Sequence, residues 1–310
     1  MDLTDAPVRA SATKPGTSGW HRARRRLGLL YAAPTAIYVA IFFVIPLLLV
    51  VRMSFGNWTL LGGDKGLNFP DNYVALGKNT LFGPAVIFTI EYTIIVTILL
   101  IGLGLGLALL VQEGGRWSGF LRTSFLLPGA IGLATASLLF WGFYSPSIGP
   151  ISPPLEALGL IHDPIQFLET SLRALLSTTF LIVWKYAGFY MLILLVGLQA
   201  IPSEVYEAAA IDGASWSQTL RRITLPLLRP SLALALILSI TGSLLAFDQF
   251  YILTKGAPDN TTVTVVQLIY REAFQRQNLG TAAALSLIVL AVLLVLNAAQ
   301  FRGLRSAERG

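Results

Sequence analysis

The stretch EAAAIDGASWSQTLRRITLPLLRP, Glu207 to Pro230, is a polar interruption between two long apolar runs. Gly213 can adopt the left-handed conformation that ends a helix. Ser215 and Gln218 then have the S-x-x-Q spacing of a capping box for a second helix, which should stop or bend at Pro226. The stretch therefore predicts a helix, a tight bend and another helix.

The surrounding composition is that of an integral membrane protein. Of the 310 residues, 55% are hydrophobic and only 12% are charged, whereas a soluble domain has roughly 25% charged residues. The net charge is +6, but the basic residues lie beside apolar runs, which indicates membrane topology rather than a nucleic-acid surface. The absence of Cys excludes a disulfide framework and thiol chemistry.

Six apolar runs are long enough to span a bilayer, so the predicted fold class is an all-α membrane protein with six transmembrane helices. We expect 1–26 to be a disordered cytoplasmic segment, 27–302 to be the membrane domain and 303–310 to be a cytoplasmic tail. The predicted spans are Leu27–Val51, Pro84–Val111, Thr123–Phe143, Leu172–Leu198, Pro230–Leu253 and Leu279–Phe301.

Lys and Arg placement predicts the orientation. With the N-terminus inside, 14 of the 22 basic residues lie in cytoplasmic segments, and few lie in the outer loops, as the positive-inside rule requires. Both termini are therefore predicted to be cytoplasmic. The polar interruption, which lies between the fourth and fifth spans, is predicted to be cytoplasmic too. Ser203, after Pro202, is a candidate N-cap for its first helix.

The interruption resembles the EAA signature of inner-membrane permeases of binding-protein-dependent ABC importers. Nearly all of 27–302 is also similar to the branch that imports sugars, oligosaccharides and glycerol phosphates, notably WKYAGFYMLILLVGLQAIPSE (184–204) and FDQFYILTKGAP (247–258). The EAA residues, with the signature's spacing, are Glu207, Ala208, Ala209, Gly213, Ile223, Leu225 and Pro226.

The resemblance implies that residues 203–226, called here the EAA loop, form a coupling helix seated on a cytoplasmic ATPase dimer. The coupling residues would be those of the signature together with Asp212. It also implies a second homologous permease, an external solute-binding protein and a bacterial inner membrane with its lipids. The sequence holds no G-x-x-x-x-G-K-[ST] phosphate loop, so ATP and Mg are expected on the partner ATPase and no cofactor on this chain.

Polar residues within the spans are candidates for the solute pathway. Lys185 lies midway along the fourth span, where an isolated Lys costs about 2.5–3.5 kcal/mol. An aqueous pathway or a carboxylate such as Glu91 would offset that cost; snorkelling or a structural ion pair is an equal alternative. Further candidates are Trp184, Asp248, Gln249 and Tyr251, although aromatic residues in membrane helices commonly serve packing.

Other classes of protein fit the sequence less well. An ion-gradient-driven secondary transporter would require inverted repeats with paired broken helices, and neither is clear. A DNA-binding helix-turn-helix could contain the bend at Gly213, but both ends enter apolar spans. GLGLGLA, 102–108, has glycines like a phosphate loop; its position inside an apolar span favours helix packing instead. No arrangement of catalytic residues indicates an intramembrane enzyme.

Overall fold

Residues 31–307 are described by a computed structural model of the chain. The predicted segment 1–26, the start of the first predicted span and residues 308–310 lie outside the described residues. The described part is predominantly helical, as predicted, with one two-stranded sheet.

The elements alternate between long apolar helices and short helices in the connections. Those in the first half are α1 (Tyr31–Ser54), β1 (Gly56–Thr59), β2 (Gly63–Leu67), α2 (Asp71–Lys78), α3 (Phe82–Val111), α4 (Arg116–Leu126), α5 (Leu133–Phe143) and α6 (Ser152–Ala157). Those in the second half are α7 (Ser171–Gln199), α8 (Ser203–Ile211), α9 (Trp216–Thr219), α10 (Leu225–Leu227), α11 (Arg229–Leu244), α12 (Asp248–Leu253), α13 (Val265–Tyr270) and α14 (Leu279–Ala307).

Five stretches are long and apolar enough to cross a membrane: α1, α3, α7, α11 with α12, and α14. A helix satisfies its backbone hydrogen bonds internally, which is why long apolar runs fold this way in lipid. Local signals set their ends. The Thr170 hydroxyl accepts a hydrogen bond from the Arg173 amide and caps α7, and Pro230 lies in the first turn of α11, where a missing N–H costs nothing.

The third predicted span is broken. A 3₁₀ turn, Leu127–Ala130, continues α4, and the chain then bends by 94° before α5. Pro128 removes a backbone donor at this point, and Ile131 is extended, so a continuous helix is interrupted. We call 127–132 the break. The described residues therefore contain five candidate spans, or six if this bent pair counts as one. The predicted third span, Thr123–Phe143, is a bent pair of helices and not a single helix.

The connection between α1 and α3 contains structure that the sequence analysis missed. Strands β1 and β2 form an antiparallel hairpin, and Gly63, the first residue of β2, has φ +66°. The Asn72 side chain, in α2, donates hydrogen bonds of 2.9 Å to the carbonyls of Ser54 and Gly56. This connection is therefore anchored by buried polar contacts.

The main core lies between α3, α7 and α11. Residues of α3 that recur every four positions are buried in it, as one face of a helix requires; they are Tyr92, Val96, Leu100, Gly104 and Ala108. A Cβ at Gly104 would lie 2.9 Å from Tyr190 Cβ and 3.2 Å from the Met191 nitrogen, both in α7. The interpretation of GLGLGLA as a helix-packing sequence is confirmed at Gly104.

Candidate functional site

The first helix of the EAA loop ends in the conformation that the sequence predicted. Gly213 has φ +71°, and the Ala214 amide donates to the Ala209 carbonyl at 3.0 Å. This contact satisfies a carbonyl that the end of α8 would otherwise leave unpaired. The start differs from the prediction, because Pro202 occupies the N-cap position and no side chain caps the helix. The N-cap assignment for Ser203 was therefore wrong.

The second helix of the loop begins with the predicted capping box. The Ser215 amide donates to Gln218 Oε1 at 2.7 Å, and the Gln218 amide donates to Ser215 Oγ at 3.4 Å. The sequence predicted that this helix stops or bends at Pro226, and its last α-helical part, α10, ends one residue later at Leu227. A π turn, Leu220–Thr224, precedes α10, and its wider hydrogen-bonding pattern accommodates the proline that follows.

The EAA loop has one free face. Glu207, Ala208, Asp212 and Gly213 are exposed, whereas Ala209 is buried against the rest of the chain. Ile223, Leu225 and Pro226 are half-buried.

Two apolar side chains of the same loop that sequence reasoning missed are also free. Ile211 is 87% exposed and Trp216 is 71% exposed. The sequence contained a signal for these two residues, because each is a large apolar residue within a polar segment. The loop therefore presents carboxylates and apolar side chains together on its surface.

A cavity of about 330 Å³ lies within the membrane-spanning part, between α3, α7, α11 and the start of α12. Five of its residues carry aromatic rings, all in segments that the sequence predicted to span the membrane. Its wall comprises Tyr92, Leu100, Leu133, Ile182, Tyr186, Phe189, Tyr190, Leu238, Ser239, Gly242, Ser243, Leu245, Ala246, Phe247, Asp248 and Gln249.

The polar groups of this wall come from distant parts of the chain. Gln249 is 3% exposed, and its Nε2 donates to the Tyr92 hydroxyl at 3.1 Å. Its Oε1 has no hydrogen-bond partner among the described residues. The Ser239 hydroxyl donates to Thr97 Oγ1 at 3.0 Å. A buried amide oxygen without a partner is costly.

The predicted pathway residues Asp248 and Gln249 meet at this cavity, with Asp248 exposed and Gln249 buried. They lie in the first turn of α12, after a three-residue interruption that follows α11. Sequence reasoning did not select Tyr92 or Ser239. Their only signal was a polar side chain in an apolar span, and nothing in the sequence showed that they share a wall with Gln249.

Trp184 and Tyr251, which were also predicted to line the pathway, are not among the residues of the cavity wall. The ring of Trp184 packs on Phe140, with centroids 5.1 Å apart. Tyr251 stacks on Phe247 at 5.1 Å, and its hydroxyl lies 3.3 Å from that of Tyr270. These contacts are the packing contacts that aromatic residues commonly make in membrane helices.

Lys185 is buried, and its ammonium group has two carbonyl partners and an aromatic neighbour, since Nζ lies 5.0 Å from the ring centroid of Tyr186. Its Nζ donates to the carbonyls of Gly129 and Ile131. Glu91 is exposed on α3, and the structure shows no ion pair between the two among the described residues. The carbonyls of the break, rather than Glu91, therefore meet the charge of Lys185.

Comparison with known families identifies the class of protein to which the chain belongs. The profile described as "Binding-protein-dependent transport system inner membrane component" matches residues 98–302, more than half of the chain. This chain belongs to that family. It is a multi-pass membrane permease subunit of an ABC importer, as the EAA signature predicted.

Relatives and solved structures agree with this assignment over nearly the whole permease. The sulfoquinovosyl glycerol transport system permease SmoG of Agrobacterium fabrum is 32% identical, covering 92% of each chain. The multiple sugar-binding transport system permease MsmF of Streptococcus mutans is 32% identical, covering 86% of this permease and 91% of MsmF.

A similar fold is present in the crystal structure of a bacterial alginate ABC transporter in complex with alginate pentasaccharide-bound periplasmic protein. The chain matched there has a TM-score of 0.78 and 26% identity, and the match covers 90% of this permease and 94% of that chain.

Proposed function

We propose that this permease carries a sugar or a related solute, such as a glycoside or glycerol phosphate, through the cavity between α3, α7 and α11. The observation that carries the proposal is the pairing of aromatic rings with the unpartnered Gln249 oxygen in one buried wall. Sugars present apolar ring faces and hydroxyl donors, which suit aromatic side chains and an amide oxygen. SmoG and MsmF, whose names specify sugar or glycoside transport, support the same class.

The EAA loop is proposed to couple this pathway to a separate ATPase dimer that binds ATP and Mg. Glu207, Ala208, Asp212 and Gly213 would form the contact surface together with the exposed apolar side chains Ile211 and Trp216. Ala209, Ile223, Leu225 and Pro226 would hold the loop on the membrane-spanning helices. No cofactor is assigned to this permease itself.

The complete importer would include a second homologous permease and an external solute-binding protein. Together the two permeases would provide the pathway and two coupling elements for two ATPase subunits. The assembly would lie in a bacterial inner membrane, with both termini of this chain in the cytoplasm, because most of its Lys and Arg residues flank that side.

Reconstitution into liposomes tests the function. The permease pair, the ATPase dimer and the cognate binding protein are combined, and uptake of labelled trehalose, maltotriose and glycerol 3-phosphate is measured with and without ATP. We expect uptake of at least one of these solutes, dependent on both ATP and the binding protein. Uptake by the isolated chain under an ion gradient would instead support a secondary transporter. Uptake of none of the three would contradict the proposed solute class.

A further inference from the structure

Lys185 is a cation in an unusual place. It lies in the middle of α7 and is 3% exposed, far from the ends of the helix, where lysine side chains reach the membrane surface. A charge buried there is costly unless partners compensate for it. Lys185 is absent from the cavity wall, and its Nζ lies 5.0 Å from the ring centroid of the wall residue Tyr186. Neither the family assignment nor this ring contact explains why a cation is buried there.

The break between α4 and α5 has carbonyl oxygens that need a hydrogen-bond donor, whereas Lys185 is a donor that needs acceptors. Interrupting a helix at membrane depth leaves carbonyls without intrahelical donors, and lipid provides none. Here the 3₁₀ turn ends at Ala130, and the following Ile131 is extended. The C-terminal end of a helix also carries partial negative charge, which favours a cation beside it.

The two features satisfy each other. Lys185 Nζ donates to the Gly129 carbonyl at 3.3 Å and to the Ile131 carbonyl, so one ammonium group bridges both sides of the residue where the turn ends. The buried charge gains two oxygen partners, and two carbonyls at the break gain a donor. Each feature thereby reduces the cost of the other in a medium that lacks water.

Close backbone contact fixes the same two elements together. Gly188, less than one helical turn after Lys185, is buried, and a Cβ there would collide with the Phe125 carbonyl of α4. Beyond the break, Leu133 is the first residue of α5 and forms part of the cavity wall. The contacts of Lys185 with the break therefore lie between two features: the close contact of Gly188 with Phe125, and the cavity-wall residue Leu133.

We propose that Lys185 is a positioning residue: it holds the break against α7 and thereby sets the cavity wall at Leu133, without contacting the solute. This inference rests on the proposed function for its effect on uptake, but its effect on the break does not require that function. Removing the ammonium group releases the two carbonyls and lets α5 change its angle to α4.

A change in the angle between α4 and α5 changes the distance between spin labels placed on the two helices, and this distance can be measured. The chain has no Cys, so Phe120→Cys in α4 and Trp141→Cys in α5, both exposed, give a unique label pair across the break. The full importer is reconstituted with native Lys185, Lys185→Met, which removes the charge, or Lys185→Arg, which retains it. Arg173→Met is the matched control, since Arg173 is an exposed cation at the outer end of the same helix.

We expect a narrow distance distribution with Lys185, Lys185→Arg and Arg173→Met, and a broadened or shifted one with Lys185→Met. The maximal uptake rate of Lys185→Met should fall about tenfold, by a similar factor for every transported solute, while the KM for the loaded binding protein stays unchanged. Lys185→Arg should recover most of that rate. If Lys185→Met does not assemble, Lys185→Gln, which retains neutral donors, is measured in its place and should broaden the distribution less.

An unchanged distance distribution in Lys185→Met would overturn the proposal, whatever happens to uptake. A loss of uptake that differs among solutes and raises KM would instead assign Lys185 to the solute contact. If the native importer takes up no solute, the proposed function fails, and the spin-label distances still decide whether Lys185 positions the break.

Discussion

The EAA loop and the solute cavity are stabilised by contacts of very different range. In the loop, the capping box joins residues three positions apart. In the cavity, Gln249 bonds to Tyr92 across 157 positions, and Ser239 bonds to Thr97 across 142. A loop whose conformation is fixed by contacts between near neighbours can keep that conformation when its exposed side chains change to fit a partner. The cavity depends on how whole helices pack, so a change there should alter stability and solute binding together.

The largest effect is expected at the helix packing that shapes the cavity. Gly188→Leu places a side chain where a Cβ already collides with the α4 backbone. Overpacking typically costs about 1–3 kcal/mol, and a backbone neighbour leaves little room to relax. We expect most of the folded protein to be lost, measured by yield and by melting in detergent. The control is Gly106→Leu in α3, an exposed position without neighbours within 4 Å. Equal melting temperatures for Gly188→Leu and Gly106→Leu would contradict the close contact of Gly188 with α4.

A change in the EAA loop should separate coupling from stability. Gly213→Val puts a β-branched residue at φ +71°, which costs about 1–3 kcal/mol of local strain. We expect normal membrane insertion and about tenfold lower solute-stimulated ATP hydrolysis. Gly119→Val, at an exposed helical glycine, should hydrolyse ATP normally. Full stimulation of the Gly213→Val importer would remove the loop from the coupling mechanism.

A smaller effect is expected at the polar wall of the cavity. Gln249→Leu removes the unpartnered oxygen and the hydrogen bond to Tyr92, worth about 1 kcal/mol in a typical case. Transport assays should show a several-fold higher KM for solute with normal basal ATP hydrolysis. Gln267→Leu is a close control, because Gln267 is also buried with an unpaired Oε1 but lies outside the cavity. Equal KM values for both variants would argue against solute contact at Gln249.

The smallest effect is expected from the capping box itself. Ser215→Ala removes an N-cap hydroxyl, at a cost of about 0.5–2 kcal/mol to the local helix. Hydrogen exchange should become faster in peptides covering α9, while melting of the whole permease stays unchanged. The exposed neighbour Ser217→Ala should not accelerate exchange. A lower melting temperature for Ser215→Ala would show that the loop is not locally determined.

The sequence separation between contacting residues also explains which features could be predicted from the sequence. Long apolar runs and the bend at Gly213 depend on neighbouring residues, and both predictions agree with the structure. The break at Pro128 had a local signal that the span-length argument overrode. Gly63, in the connection between the first two spans, was a local signal for a hairpin that the sequence prediction did not include. The contacts of Tyr92 with Gln249 and of Lys185 with the break depend on tertiary packing, which no short segment encodes.

The central claim is that the exposed face of the EAA loop binds the ATPase. Ile211→Cys introduces the only thiol into a chain without Cys, at a side chain that is 87% exposed. A thiol-to-amine crosslinker is added to the reconstituted importer, with Leu61→Cys in the hairpin connection, 83% exposed, as the control. We predict a crosslinked product with the ATPase from Ile211→Cys and none from Leu61→Cys. An intact importer in which Ile211→Cys gives no such product, or in which Leu61→Cys does, would contradict the account.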